Sequence, residues 1–134
     1  MRFDDLKVGM SYEMRRAFSQ EEVLGFAELS YDTNPLHVDA EYAKKSFFGK
    51  VIVPGFLTGS MFSAIIGTKF PGEGSIYLNQ SMSFRAPVFI DQVIVATVRV
   101  KELNPEKHRV LLDTCCCDED GKVLIEGEAL VKLP

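Results

Sequence analysis

The 134-residue sequence predicts an α+β fold, in which one long buried helix lies against an antiparallel sheet of about five strands. Residues 56–70 are apolar or small on nearly every side of a helix, as is typical of a helix inside a protein. Residues 75–133 hold four segments that are β-branched, aromatic or alternating. Helices followed by a run of strands favour an α+β layer, and the length favours one domain over residues 1–134.

The N-terminal third predicts two helices before the buried one. Ser19 and Glu22 have capping-box spacing, and apolar residues follow at helical intervals. This pattern predicts a helix from about 20 to 31. A short second helix is expected over 39–46, with Asp39 as its N-cap.

The long helix is punctuated by Pro54-Gly55 before it and Pro71-Gly72 after it. The predicted strands are residues 10–17, 75–84, 92–103, 108–117 and 122–133. Asn104-Pro105 and Asp120-Gly121 supply hairpin-turn chemistry between the later strands. A long helix wrapped by a strongly bent sheet is the hot-dog arrangement. Such a sheet leaves edges that must be covered, so we expect a homodimer.

Composition argues against several classes of function. The formal net charge of −4 disfavours a general nucleic-acid binder, which needs a basic face. No apolar run approaches the roughly 20 residues of a membrane span, and the N-terminus has no secretory h-region. We therefore expect a cytoplasmic protein with no membrane partner, with entry into an organelle by a route that the sequence does not show as the alternative. The consecutive cysteines 115–117 form no disulfide framework and, with His37 and His108, have no zinc-site spacing. We therefore expect strand cysteines, no metal and no cofactor.

The segment SYDTNPLHVD concentrates polar side chains in a mostly apolar chain. On a continuous helix, Asp32 and His37 would point about 140° apart. Pro35 prevents that helix and pushes Asn34 out of the α region, so the chain must turn and can bring the acid and the imidazole together. Such a pair suits proton transfer. From spacing alone, Asp32 could instead be a turn former and His37 a structural histidine; His108 is expected to be a surface histidine.

The pattern D-x-N-P-x-H, formed by Asp32, Asn34, Pro35 and His37, resembles the hydratase signature of the MaoC-like family, most closely its short (R)-specific enoyl-CoA hydratases. Matching surroundings run through the whole chain: residues 26–27, 47–49, 51–55, 74–77, 84, 87–88 and 127–134. The resemblance implies a homodimer of hot-dog domains. It also implies reversible hydration of trans-2-enoyl-CoA to (R)-3-hydroxyacyl-CoA, linking fatty-acid β-oxidation to polyhydroxyalkanoate precursors.

The resemblance also implies roles for single residues. Asp32 would accept a proton from water, and His37 would hold that water and carry a proton. The backbone N–H of Gly55 would meet the thioester oxygen, where a helix N-terminus stabilises developing negative charge. Asn34 and Ser63 would contribute to substrate binding. The chain departs from many relatives at Pro54, where a histidine is common, and at Ile90-Asp91, where Gly-Asp is usual.

Three other functions stay open. A hot-dog thioesterase would hydrolyse acyl-CoA, and a non-catalytic module would bind acyl-CoA without turnover. A dehydratase acting on acyl-carrier-protein substrates is disfavoured, because residues 56–69 contain none of the carboxylates expected on the central helix. The cations available for CoA phosphates are Lys44, Lys45, Lys69 and Arg85, although solvated surface charge is the commoner fate of each.

Overall fold

The computed structural model describes residues 1–134 and has the predicted hot-dog architecture. The strands are β1 (Ser11–Arg16), β2 (Ile76–Gln80), β3 (Ser83–Phe84), β4 (Ile94–Asn104), β5 (Arg109–Asp118) and β6 (Val123–Lys132). The helices are α1 (Gln20–Ser30), α2 (Pro35–Val38), α3 (Ala40–Lys44) and α4 (Gly55–Thr68), after a 3₁₀ turn at Phe3–Asp5. All pairings in the sheet are antiparallel, in the order β1-β4-β5-β6-β2, with β3 also on β6.

The core is one cluster of 23 buried residues between α4 and the concave face of the sheet. From α4 it takes Met61, Phe62, Ile65 and Ile66, which recur at helical spacing. From β4 and β5 it takes every second residue, as strand geometry requires. Full burial of each such aliphatic side chain contributes about 1.5–3 kcal/mol.

One side of α4 differs from the prediction of a helix buried all round. Phe56, Ser60, Ser63, Ala64 and Gly67 are exposed in the single chain. They recur at intervals of three or four residues and so form one stripe on the side away from the sheet. The small residues of this stripe looked compatible with complete burial in the sequence, but they leave the helix accessible on this side.

The predicted strand over residues 75–84 is two strands, because the chain crosses close to β6 at Ser81 and Met82. The N–H of Ser81 donates to the carbonyl of Glu128 at 2.9 Å. A Cβ on Gly127 would overlap the carbonyl oxygen of Ser81, so this crossing requires glycine at 127. The register of β2 on β6 also shifts between Tyr77 and Asn79.

The helices before α4 follow the sequence closely. The predicted capping box is confirmed, because Ser19 accepts from Glu22 N–H while the Glu22 carboxylate accepts from Ser19 N–H. Asp39 caps α3 as predicted, by accepting from the N–H of Tyr42 at 3.1 Å. The four-residue α2 was not predicted; Pro35 opens a new helix rather than only ending the previous one. None of the helices has both the length and the apolarity that crossing a bilayer requires.

Candidate active site

A cavity of about 460 Å³ lies at the N-terminus of α4. Asp32, His37 and Gly55 all line it, so the structure brings together the two predicted catalytic side chains and the predicted backbone donor. The rest of its wall is largely apolar and comes from distant parts of the chain, including Phe47, Phe48, Ile52, Val53, Phe84 and Val88.

Local hydrogen bonds build the turn that holds Asp32. Helix α1 ends at Tyr31, which has left-handed backbone geometry with φ 64°. The N–H of Asp32 then donates to Ser30 Oγ at 3.1 Å, and the N–H of Leu36 donates to Asn34 Oδ1 at 3.0 Å. Asn34 therefore caps α2. The turn leaves the carboxylate of Asp32 half-buried at the cavity wall.

The imidazole of His37 is buried, with only 8% of the residue exposed. Its Nδ1 lies 2.8 Å from the carbonyl oxygen of Ile52. A carbonyl can only accept, so Nδ1 carries the proton in this contact. In the neutral ring, Nε2 is then the atom with a free lone pair, and it has no hydrogen-bond partner within the protein. The carbonyl of Ile52 thus fixes both the tautomer and the ring orientation.

The N-terminus of α4 has free donors. Its N-cap is Pro54, which has no side chain that can accept a hydrogen bond, and the carbonyl of Pro54 already accepts from Leu57 and Thr58 at 3.0 and 3.1 Å. The N–H of Gly55 has no acceptor in the protein. The helix dipole adds positive potential at this point. Proline in place of the more common histidine therefore leaves the donor intact.

Glycine at position 55 leaves room for an aromatic ring that packs on it. The ring of Phe84 lies against the α-carbon of Gly55, and a Cβ there would collide with that ring. Phe84 in turn makes an edge-to-face contact with Phe56, with centroids 6.1 Å apart. The backbone of Gly55 is therefore approached closely from the β3 side, while its N–H remains available to a ligand.

Other predicted residues lie outside the cavity. Ser63 is on the exposed stripe of α4, and the side chain of Asn34 is occupied in capping α2. Their substrate contacts stay predictions. Arg85 lines the cavity and pairs with Glu126 at 3.1 Å, whereas Lys44 lies at a separate depression.

Sequence reasoning missed the carbonyl of Ile52 and the aromatic wall of Phe47, Phe48 and Phe84. Neither carries a local signal, since a carbonyl is common to all residues and the aromatic residues meet only in the folded chain. His108 is exposed as predicted, although its ring stacks on Phe3 at 4.9 Å. The cysteines are free, and no group of three or more metal-ligating side chains converges anywhere.

The bent sheet around α4, with an acid, an imidazole and free amides at the start of that helix, defines a hot-dog protein with an acid–base site. Residues 5–113 match the family described as MaoC like domain, and the chain belongs to that family.

The similarity to known proteins extends over nearly the whole chain. An (R)-specific enoyl-CoA hydratase from Rhodospirillum rubrum is 46% identical over 132 residues, covering 98% of this chain and 91% of the relative. The solved (R)-hydratase from Aeromonas caviae, described as involved in PHA biosynthesis, superposes with a TM-score of 0.93 at 43% identity, covering 96% of this chain and 98% of that one. A 3-hydroxyacyl-acyl-carrier-protein dehydratase from Solanum lycopersicum is 40% identical over 131 residues, covering 96% of this chain and 78% of the relative.

Proposed function

We propose that the protein is an (R)-specific enoyl-CoA hydratase, a hydro-lyase that adds water reversibly to trans-2-enoyl-CoA. The observation that carries the proposal is the meeting of Asp32, His37 and the free N–H of Gly55 at one largely apolar cavity. Full-length similarity to hydratases of that name supports it. The product would be an (R)-3-hydroxyacyl-CoA, which links fatty-acid β-oxidation to polyhydroxyalkanoate precursors.

The acid and the imidazole hold the attacking water. Nε2 of His37 accepts one hydrogen bond from the water, because Nδ1 is committed to the carbonyl of Ile52. The carboxylate of Asp32 accepts the other and takes the proton as the water oxygen attacks the β-carbon. General base catalysis of this kind contributes about 10²–10⁴ in rate. The α-carbon then gains a proton and Asp32 releases the one that it took, so that one water is added in all and the site returns to its starting charge.

The N–H of Gly55 stabilises the charge that develops during attack. As the water oxygen bonds to the β-carbon, electrons move through the conjugated system to the thioester oxygen. A donor already aimed at that oxygen needs no reorganisation, and one such donor contributes about 3–4 kcal/mol. The dipole of the 14-residue helix α4 acts in the same direction.

The acyl chain and the CoA portion of the substrate would contact different residues of the cavity. Phe56, Val88 and Ile125 offer apolar surface for the acyl chain. Arg85 is the cavity-lining cation, and it is the candidate partner for a CoA phosphate. Its guanidinium is already paired with Glu126, so phosphate binding would share or replace that contact.

The functional unit in this proposal is a homodimer of single domains over residues 1–134. Phe56, on the uncovered stripe of α4, is 69% exposed, and Phe47, which lines the same cavity, is 98% exposed. The edge strand β2 also exposes Ile76, Tyr77 and Leu78. A second chain would cover apolar surface that one chain leaves in water. Light scattering should give twice the 15.0 kDa chain mass, and a monomer would contradict this part of the proposal.

The proposed compartment is the cytosol, because its reducing environment suits three unpaired thiols.

A second candidate substrate is the same acyl group on a carrier protein. The similarity to the Solanum dehydratase favours it, since the 40% identity to that relative extends over 96% of this chain. Both reactions would use the same Asp32, His37 and Gly55 chemistry. Parallel assays with acyl-CoA and acyl-carrier-protein thioesters of equal chain length distinguish the two substrates by their kcat/KM.

The first experiment follows the loss of enoyl-thioester absorbance when the protein meets crotonyl-CoA. Asp32→Asn and His37→Ala are each expected to lower the rate by about 10²–10⁴ while the protein stays folded. Asp120→Asn and His108→Ala are the matched controls, because both residues are exposed and lie outside the cavity. Chiral analysis of the product tests the (R) configuration.

Three outcomes would reject the mechanism or the reaction. A near-wild-type rate in folded Asp32→Asn would mean that the carboxylate is not the base. Release of free thiol from saturated acyl-CoA would indicate a thioesterase instead. Tight acyl-CoA binding without turnover of CoA or carrier-protein substrates would indicate the non-catalytic module.

A further inference from the structure

Two thiols lie side by side on the outer face of the sheet, away from α4. In β5, Thr114 and Cys116 point into the core, while Cys115 and Cys117 alternate with them and are half-buried on the opposite face. The Sγ atoms of Cys115 and Cys117 are 3.4 Å apart, and no disulfide joins them. The strand backbone therefore presents a preformed pair of sulfur ligands.

The sulfur separation indicates what kind of atom could bridge the pair. With two bonds of about 2.3 Å, as in sulfur–zinc bonds, a 3.4 Å separation corresponds to an angle of about 95° at the bridging atom. A tetrahedral ion would need roughly 109°, which would set the sulfurs about 3.8 Å apart. An angle nearer 90° is usual for a pyramidal main-group atom with three bonds.

The surroundings supply no third or fourth ligand for a metal ion. No group of three or more His, Cys, Asp or Glu side chains converges there or elsewhere. Instead, Cys115 borders a polar cleft of about 470 Å³ that also includes Ser83 and Arg85. The site thus provides two sulfurs and open space beside them, which suits a bridging atom that already carries a substituent of its own.

We propose that Cys115 and Cys117, which lie outside the hydratase cavity, form a binding site for monosubstituted trivalent arsenicals. A hydrated arsenical, R–As(OH)₂, would exchange both hydroxyl groups for sulfur. Two As–O bonds break, two As–S bonds form, and each S–H proton leaves with a hydroxyl as water. Arsenic stays trivalent throughout, so no oxidant or reductant is required. The substituent R would project toward the cleft beside Cys115.

The raised pKa of Cys115 also favours an arsenical over a divalent metal ion. Burial raises the pKa of Cys115 to about 12, and the hydrogen bond with Cys117 adds to that effect. A divalent ion requires thiolates, so it must displace protons that are held unusually tightly. The arsenical exchange creates no thiolate in its products and escapes this cost. The pair therefore favours the arsenical over Zn²⁺.

The test uses phenylarsine oxide with the full-length protein, reduced by a phosphine so that no competing thiol is present. Native mass spectrometry should show one adduct per chain at equimolar reagent. Cys115→Ser and Cys117→Ser should each weaken capture by about 10²–10⁴, because chelation by two linked sulfurs is lost. Cys116→Ala is the matched control and should retain the adduct, since Cys116 faces the core.

A second measurement does not depend on any variant. After capture, alkylation in denaturant should label one thiol per chain, and peptide mapping should place the label on Cys116. The kcat for hydration should be unchanged, because neither thiol lines the active-site cavity; KM is not a control here, because Arg85 borders both spaces. Absence of a stoichiometric adduct, full capture by Cys117→Ser, or labelling of Cys115 after capture would each overturn the proposal. So would displacement of the arsenical by equimolar Zn²⁺.

Discussion

The first N–H groups of α1 and α4 differ in their hydrogen bonding: those of α1 have a side-chain cap, and those of α4 do not. At α1, Ser19 and Glu22 form a reciprocal capping box. At α4, Pro54 offers no side-chain cap, and the N–H of Gly55 stays free at a cavity. A helix has four such orphan donors at its start, and side chains or water normally satisfy them. The difference shows that a closed helix end stabilises the fold, whereas an open one is available to a ligand.

The largest expected effect comes from Gly55→Ala, which disturbs the open end. The new Cβ would collide with the ring of Phe84 and displace either that ring or the start of α4. Misplacing the oxyanion donor should lower kcat by about 10²–10³. Steady-state kinetics with crotonyl-CoA measures the loss.

Gly25→Ala is the matched control, because a Cβ at Gly25 in α1 meets nothing within 4 Å. That variant should keep full activity and gain about 0.5–1 kcal/mol of stability, as alanine replaces glycine inside a helix. Equal kinetics for the two variants would contradict the role given to Gly55.

Ser19→Ala disturbs the closed end. Loss of the cap should lower the free energy of unfolding by about 1 kcal/mol and leave kcat unchanged. Urea unfolding monitored by circular dichroism measures the change. Ser19→Asp retains a capping oxygen and should recover most of the stability. A large fall in kcat for Ser19→Ala would mean that the two helix ends are not separate in function.

Tyr31→Gly alters the other end of α1. Tyr31 has φ 64° and is 90% exposed, so its side chain gives little packing in return for left-handed geometry. Glycine adopts this geometry freely, and after its larger unfolded-state entropy is counted it should raise stability by about 0.5–1 kcal/mol. Thermal unfolding tests this. Lower stability would mean that the tyrosine ring has a partner, such as a second chain.

Glu22→Gln should give the smallest effect, and it should depend on pH. The hydrogen bond from Ser19 N–H, followed by Arg16, holds the pKa of Glu22 below its ordinary value of 4.5. A lowered pKa means that the charged form stabilises the folded protein above pH 4.5 and that this contribution is lost as the pH falls through the folded-state pKa. The variant should be less stable than wild type at pH 7 and approach it at pH 3. A difference independent of pH would exclude this linkage.

The sequence predicted local structure well wherever the signal was local. The caps at Ser19 and Asp39 and the bounds of α4 follow from residues close together in the chain. The break between β2 and β3 could not be predicted this way, because it depends on Gly127 lying against Ser81. The exposed stripe of α4 was not predicted for a related reason: small residues are compatible with either a core or an interface.

The candidate site shows the same difference between local and non-local signals. The motif around Asp32 and His37 pointed to a convergent pair, and both residues do line one cavity. The part of the apolar wall formed by Phe48, Phe84 and Val88 could not be predicted, because these residues come from separate segments. Nor did the motif indicate that the residues after Asn34 form a short helix of their own, α2.

The contact between His37 Nδ1 and the carbonyl of Ile52 limits what mutagenesis of the site can detect. The group that orients the imidazole is a backbone carbonyl, and the N–H of the same residue donates to the carbonyl of Leu36 at 3.2 Å. No side-chain replacement at Ile52 deletes the carbonyl, and only proline would remove the N–H. Alanine scanning at position 52 would therefore report only on the Ile52 side chain in the cavity wall and not on the carbonyl that sets the tautomer of the histidine. Replacing the amide linkage by an ester would reveal a dependence that conventional mutagenesis cannot detect.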